Sequence, residues 1–124
     1  GINKAGLYCP GCLVLEAAAN YEQAPKLGDE AILNQHLSDY RLVVLVDSLD
    51  EALSSEMSFL WVLFTRFEPA ADIKSKSITL KRFHPEMEAP ILIDARMKPW
   101  YPGKLIATPE TIQNVDQKWS RIFS

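Results

Sequence analysis

The run Arg41-Leu42-Val43-Val44-Leu45-Val46-Asp47 is the clearest element of the chain. It is continuously apolar rather than alternating, and β-branched residues and Leu fill it. An alternating strand has one wet face, whereas a continuous one expects cover on both. The run predicts a central strand of a helix-flanked sheet. Ala89-Pro90-Ile91-Leu92-Ile93-Asp94-Ala95 predicts a second apolar strand, and Ser77-Ile78-Thr79-Leu80-Lys81 alternates as an edge strand does. Leu13-Val14-Leu15 suits either a short buried strand or the start of a helix continuing through Glu16-Ala17-Ala18-Ala19.

Helical signals lie between these runs. Asp29 is placed to cap a helix reaching about His36, with Ile32, Leu33 and Leu37 on its inner face. Ser48 and Glu51 have capping-box spacing. Leu53, Met57, Leu60, Trp61 and Phe64 follow at helical spacing, and Phe59, Val62 and Leu63 add apolar residues on other faces. A helix from about Leu53 to Arg66 is therefore expected to be buried almost all round, between the sheet and a further domain or subunit. Arg66 suits the negative end of that helix dipole. Residues 67–72 are expected to turn, because Pro69 disfavours helical geometry at Glu68. Lys98-Pro99-Trp100-Tyr101-Pro102-Gly103 predicts an aromatic loop. Thr108-Pro109-Glu110 opens a final helix with Ile112, Val115, Trp119 and Ile122 in one stripe. The class that follows is α/β: a layered sheet of about four to five strands flanked by helices, ending in a C-terminal helix.

Composition narrows the function classes. A chain of 124 residues fits a single domain over residues 1–124. A net charge of -3 and a pI near 5.3 argue against a dedicated nucleic-acid binder. The longest apolar run, Phe59 to Phe64, falls far short of the roughly 20 residues of a spanning helix, so no transmembrane segment is expected. No signal-peptide pattern opens the chain, and two cysteines do not make a secreted disulfide scaffold. A cytoplasmic location is the default expectation. The chain begins at Gly1 rather than Met, which fits an excised or processed segment.

Few residues present themselves for chemistry. Cys9-Pro10-Gly11-Cys12 reads as a redox disulfide pair, as half of a zinc site, or as two ordinary thiols at a tight turn. A helix beginning after Cys9 would lower its pKa. The only histidines, His36 and His84, are irregularly spaced for zinc, and no nucleophile elbow accompanies His84. Arg66, Asp72, Asp94, Arg96 and Lys98 stand at the ends of apolar elements, where α/β sheets bind ligands. The plainer reading is structural ion pairing, with Arg66 joined to Asp72 or Asp94. Trp100 and Tyr101 on a Pro-stiffened loop suit a contact surface or packing against their own domain. No Gly-rich phosphate loop, Walker motif or metal-ligand cluster occurs, so no complete active site is legible.

Three segments, in order, resemble the C-terminal region of the UbiD-type decarboxylases, the family of 3-octaprenyl-4-hydroxybenzoate carboxy-lyase. Residues 41–47 are similar to its apolar strand ending in Val-Asp. Trp61-Val62-Leu63-Phe64-Thr65-Arg66-Phe67-Glu68-Pro69-Ala70-Ala71-Asp72 is similar to its Trp-containing helix running into Thr-Arg-x-Asp-Pro-x-x-Asp. Ile93-Asp94-Ala95-Arg96-Met97-Lys98-Pro99-Trp100 is similar to its late Ile-Asp-Ala-Thr-x-Lys segment. The resemblance covers residues 41–100. Glu68, Ala71 and Arg96 depart from the pattern, and Glu88-Ala89-Pro90 stands where Gly-Ser-Lys often precedes the last segment.

The resemblance implies the C-terminal domain of a long decarboxylase, a family linked to ubiquinone and menaquinone biosynthesis. Such enzymes remove or add a carboxyl group on aromatic or α,β-unsaturated acids of the 4-hydroxybenzoate type. It implies prenylated FMN, a divalent metal and potassium in the full-length enzyme, all held by a flavin-binding domain outside this chain. This chain would then carry no catalytic, cofactor or metal residue and would be inactive alone. Its partners would be the remainder of the decarboxylase chain and further copies in a homo-oligomer, with no nucleic acid. Two alternatives from other classes are a small thiol redox protein using Cys9 and Cys12, and a standalone interaction module using the Trp100–Tyr101 loop.

Overall fold

Register decides which side each strand residue faces, and here it sorts the apolar residues into two cores. The computed structural model describes residues 1–100 and 109–123. In chain order the strands are β1 (Ile2–Cys9), β2 (Cys12–Ala17), β3 (Leu42–Val46), β4 (Ile73–Ser75), β5 (Ile78–Lys81), β6 (His84–Met87) and β7 (Ile91–Asp94). The helices are α1 (Leu27–Ala31), α2 (Leu49–Ala52), α3 (Glu56–Arg66), α4 (Pro69–Asp72) and α5 (Pro109–Phe123), with a 3₁₀ turn at Gln35–Asp39.

Five strands form one sheet in the order β1-β2-β3-β7-β4. The inner three run parallel, with Val14 beside Val44 beside Ile93 and Leu15 beside Leu45 beside Asp94. Strands β1 and β4 close the two edges antiparallel. Side chains alternate across a strand, so Cys12, Val14, Val44 and Val46 meet Ala52, Phe59, Val62 and Leu63 on one face. Leu13, Leu15, Val43, Leu45 and Leu92 meet Ile32 and Leu37 on the other. Both faces of the central strand are thus covered, as its unbroken apolar run requires, and the α/β layered class with a C-terminal helix is the fold observed.

Local chemistry explains several boundaries. The Ser48 hydroxyl accepts from the Glu51 N–H at 3.2 Å, the cap its spacing predicts. The helix expected from about Leu53 to Arg66 starts slightly later, at Glu56, and a separate short helix precedes it. Helix α2 ends at Ala52, and α3 begins at Glu56, where Ser55 accepts from the Ser58 N–H at 3.0 Å. The expectation that this helix is buried almost all round is corrected too. Phe59, Val62, Leu63 and Arg66 face inward, while Met57 and Phe64 are exposed and Leu60 and Trp61 lie partly open. Helix α3 therefore has one buried face and one apolar face in solvent.

Other expectations are corrected as well. Asp29 lies inside α1 and caps nothing; Asn34 caps the 3₁₀ turn instead, and Leu33 points outward. Residues 69–72 form a short helix, with Pro69 at the first helical position where its missing N–H is harmless. Residues 78–81 do not edge the main sheet. They pair with β6 in a separate hairpin turned by Arg82 and Phe83 at φ 52 and 68. The main sheet's edge beside β7 is β4, which carries no sequence signal of its own. The turn Pro10–Gly11 joins β1 to β2, with Gly11 at φ 85, where a type II turn wants glycine. That settles Leu13-Val14-Leu15 as strand. Of the final helix, Thr108 and the Ile112 side chain lie outside the described residues; Val115, Trp119 and Ile122 are exposed.

Candidate functional site at the strand ends

Parallel strands present their carboxyl ends together, and loops leaving those ends are where α/β sheets build sites. Here the ends of β3 and β7 and the segment after α3 bring together residues 47, 66–72 and 94–98. Those positions fall in the three segments that carry the family resemblance. Among the described residues, six charged side chains lie buried: Glu16, Arg66, Asp72, Asp94, Arg96 and Lys98. Burying a charge is costly unless it is paired and hydrogen-bonded, and each of these has a partner.

Lys98 is the hub. Its Nζ donates to the Arg66 carbonyl at 2.7 Å and to the Asp94 carbonyl, and stands 3.0 Å from an Asp72 Oδ2. Asp72 in turn accepts from the Glu68 N–H at 2.7 Å, fixing the entry to α4. Arg96 forks onto Asp94 through Nε and Nη2 at 3.0 and 2.8 Å. Its remaining nitrogen donates to the Ala24 carbonyl at 2.8 Å, tying the loop after β2 to the end of β7. Tyr21 lies over both cations, 5.1 Å from the Arg96 guanidinium and 5.6 Å from Lys98 Nζ. Asp47 accepts the Met97 N–H at 2.7 Å and holds the loop after β7 to the end of β3.

The expected pairing of Arg66 with Asp72 or Asp94 is not the one found. Arg66 stands in the last turn of α3, at the negative end of the helix dipole as expected, and its guanidinium reaches Glu51 of α2 at 2.6 Å. Lys98 takes Asp72, and Arg96 takes Asp94. In the sequence Lys98 and Arg96 stand out only as charges at element ends. Glu16 and Glu51 do not stand out as site residues at all, and no sequence signal marks the contact between residues 24 and 96. Glu16 sits near the end of β2, where it accepts from the Leu49 N–H at 3.0 Å and from the Asn3 side chain at 2.6 Å. Those hydrogen bonds hold its carboxyl below the usual range, the Leu49 N–H contributing most.

A shallow cleft of about 260 Å³ borders the cluster, lined by Asn20, Glu22, Asp47, Met97, Lys98 and Pro99. That is below the roughly 300–1,000 Å³ typical of small-molecule sites. Among the described residues, no buried side-chain nitrogen or oxygen lacks a hydrogen-bond partner. The buried charges are thus committed to one another and to backbone carbonyls, an arrangement suited to latching loops together. Trp100 stands beside the cluster, half-exposed, its indole N–H donating to Glu68 at 3.2 Å and its ring edge-on to Tyr21. Tyr101 lies outside the described residues.

The cysteines lie at the other end of the sheet. Cys9 and Cys12 face each other across the β1–β2 hairpin, so no helix begins there to lower a thiol pKa, contrary to the arrangement a thioredoxin-like motif needs. Burial pushes the Cys12 thiol up to about 11. Among the described residues, no group of three or more His, Cys, Asp or Glu side chains is placed to hold a metal ion. His84 opens β6 in the outlying hairpin. Among the described residues, no helix is long and apolar enough to cross a membrane.

No protein-family model matches the chain. It is 39% identical over 123 residues to an uncharacterised protein of Chlamydia caviae, covering 98% of this chain and 20% of that protein. It is 34% identical over 123 residues to a Chlamydia pneumoniae protein named as one of the subunits of a 4-hydroxybenzoate decarboxylase, covering 99% of this chain and 20% of that one. The chain thus spans about a fifth of the length of these relatives. Among solved structures it is similar to vanillic acid decarboxylase of Sedimentibacter hydroxybenzoicus in its open form. That likeness has 17% identity and a TM-score of 0.46, covering 90% of this chain and 26% of that chain.

Proposed function

We propose that these residues are the C-terminal domain of a UbiD-like carboxy-lyase, building oligomer contacts and closing over an active site that lies elsewhere in a longer polypeptide. The substrate class is an aromatic or unsaturated acid of the 4-hydroxybenzoate type. The observation that carries the reading is the likeness, along almost the whole chain, to a relative named as part of a 4-hydroxybenzoate decarboxylase. The charge cluster supports it, because the three segments that resemble the family meet there.

In this reading prenylated FMN, a divalent metal and potassium belong to the other domain. Among the described residues, what supports this is that the cleft beside Asp47 is about 260 Å³ and that Arg96 and Lys98 are already engaged with Asp94 and Asp72. In this reading no step of the reaction is routed through this chain. Its work is positional. The cluster fixes the loops at the strand ends, and the solvent-facing apolar residues of α3, Met57 and Phe64 among them, offer a surface to a neighbouring domain or copy.

A chimera tests the proposal. The matching fifth of the Chlamydia pneumoniae relative is replaced by these 124 residues, and assembly and decarboxylation of 4-hydroxybenzoate are measured. Retention of both supports the domain assignment. A folded chimera that neither assembles nor decarboxylates, while the parent does both, overturns it. Tight binding of prenylated FMN by the 124-residue chain alone also overturns it.

A further inference from the structure

We propose that Cys9 and Cys12 are a redox modification site, closing reversibly into a disulfide across the β1–β2 hairpin. The two residues are register partners on antiparallel strands. Such partners place their Cα atoms about 4.5–5.5 Å apart, within the roughly 4.4–6.8 Å that a disulfide spans. Cys9 is near enough to act on the Cys12 thiol, raising its pKa alongside the larger effect of burial. Pro10 and Gly11 hold the turn between them in shape, so closing the ring asks little of the backbone.

The pair is also asymmetric in the way thiol exchange needs. Cys9 is exposed and Cys12 is buried, 5% accessible, in the core that includes Val14 and Phe59. A small disulfide of the glutathione class meets Cys9 first. The Cys9 thiol gives its proton to water, and its thiolate attacks one sulfur of the reagent, forming a mixed disulfide and releasing one thiolate. Cys12 then loses its proton and attacks the Cys9 sulfur, and the second reagent thiolate leaves. In sum, two protein thiols and one external disulfide become one protein disulfide and two external thiols. Burial keeps little of Cys12 ionised at neutral pH, and its fixed position beside Cys9 offsets that through a high effective concentration. The ring ties down the end of an edge strand whose Tyr8 stacks on Phe59 of α3 at 3.9 Å.

The test is to incubate the folded chain with oxidised glutathione and read its mass and free thiols. The expected product is lighter by two hydrogen atoms, carries no glutathione, resists alkylation at both cysteines and is restored by dithiothreitol. Cys12→Ala should instead hold a stable glutathione adduct on Cys9. Cys9→Ser changes only an exposed side chain, and this variant should stay unmodified. A wild-type chain that accumulates the adduct, dimerises through cysteine, or remains fully reduced overturns the proposal. So does glutathionylation of Cys12 in the folded Cys9→Ser variant.

Discussion

The Lys98 ammonium stands 3.0 Å from an Asp72 carboxylate oxygen, with side-chain exposures of 0% and 5%. Two charges so placed gain from each other what they lose from water, and the pair as a whole adds little net stability. Removing one of them is a different matter, because the other stays buried without its counter-charge. Lys98→Met is expected to cost about 3–5 kcal/mol in urea unfolding. Lys98→Met with Asp72→Asn should recover much of that loss. A single variant within about 1 kcal/mol of wild type would contradict the latch.

Arg96 reaches two places at once, and only a planar fork can do so. Arg96→Lys keeps the charge but cannot span Asp94 and the Ala24 carbonyl together. The expected loss is about 2–3 kcal/mol. Amide exchange should quicken in residues 20–24, where Ala24 N–H bonds Asn20 at 3.1 Å, more than in β3. Equal quickening in both places would mean that Arg96 supports the sheet rather than the loop.

Glu16 makes stability depend on acid. Its carboxyl is held below its usual range in the fold by the N–H of Leu49 and the side chain of Asn3. A group with a depressed folded pKa adds stability above its unfolded pKa, about 4.3 for Glu. It loses that stability as pH falls through the lower, folded pKa. The chain should therefore weaken progressively below about pH 4.3. Glu16→Gln should be weaker at neutral pH and should show a flatter slope in that acid range, measured as urea midpoints against pH.

The outward face of α3 is the surface expected to meet a neighbour. Phe64 is 67% exposed, so Phe64→Glu should change stability by no more than about 0.5 kcal/mol. If that face carries self-association, the same variant should shift the chain to smaller species in sedimentation or size exclusion. Trp100→Ala offers the contrast. A change with Trp100→Ala and none with Phe64→Glu would move the contact to the aromatic loop.

How much of the fold and the site is legible in the sequence depends on how far apart the deciding residues lie. Val43 to Val46 declare a doubly covered strand because four adjacent apolar residues leave no wet face. Ser48 declares its cap because the partner N–H is three residues on. Helix α3 is visible, but its orientation is not, since apolar residues occur on both of its faces. Buried and exposed sides are then indistinguishable by pattern alone. The short strand β4 carries Lys74 between Ile73 and Ser75, too brief to show a period. The cluster's charges are visible, but their pairing is not. Glu51 meets Arg66 from the previous helix, and Ala24 meets Arg96 from the far side of two strands. No spacing rule connects them.

The cluster also constrains how the chain winds up. Its hydrogen bonds join residues 72, 50 and 32 positions apart, from Arg96 to Ala24, Met97 to Asp47 and Lys98 to Arg66. Contacts between such distant positions form only after long loops have closed, which slows folding. Each of these three straps includes a residue beyond β7. A nascent chain halted at Asp94 could lay down its parallel strands and tie Glu16 to Leu49, yet would lack these three straps. Four residues, 95–98, thus bring the three straps with them.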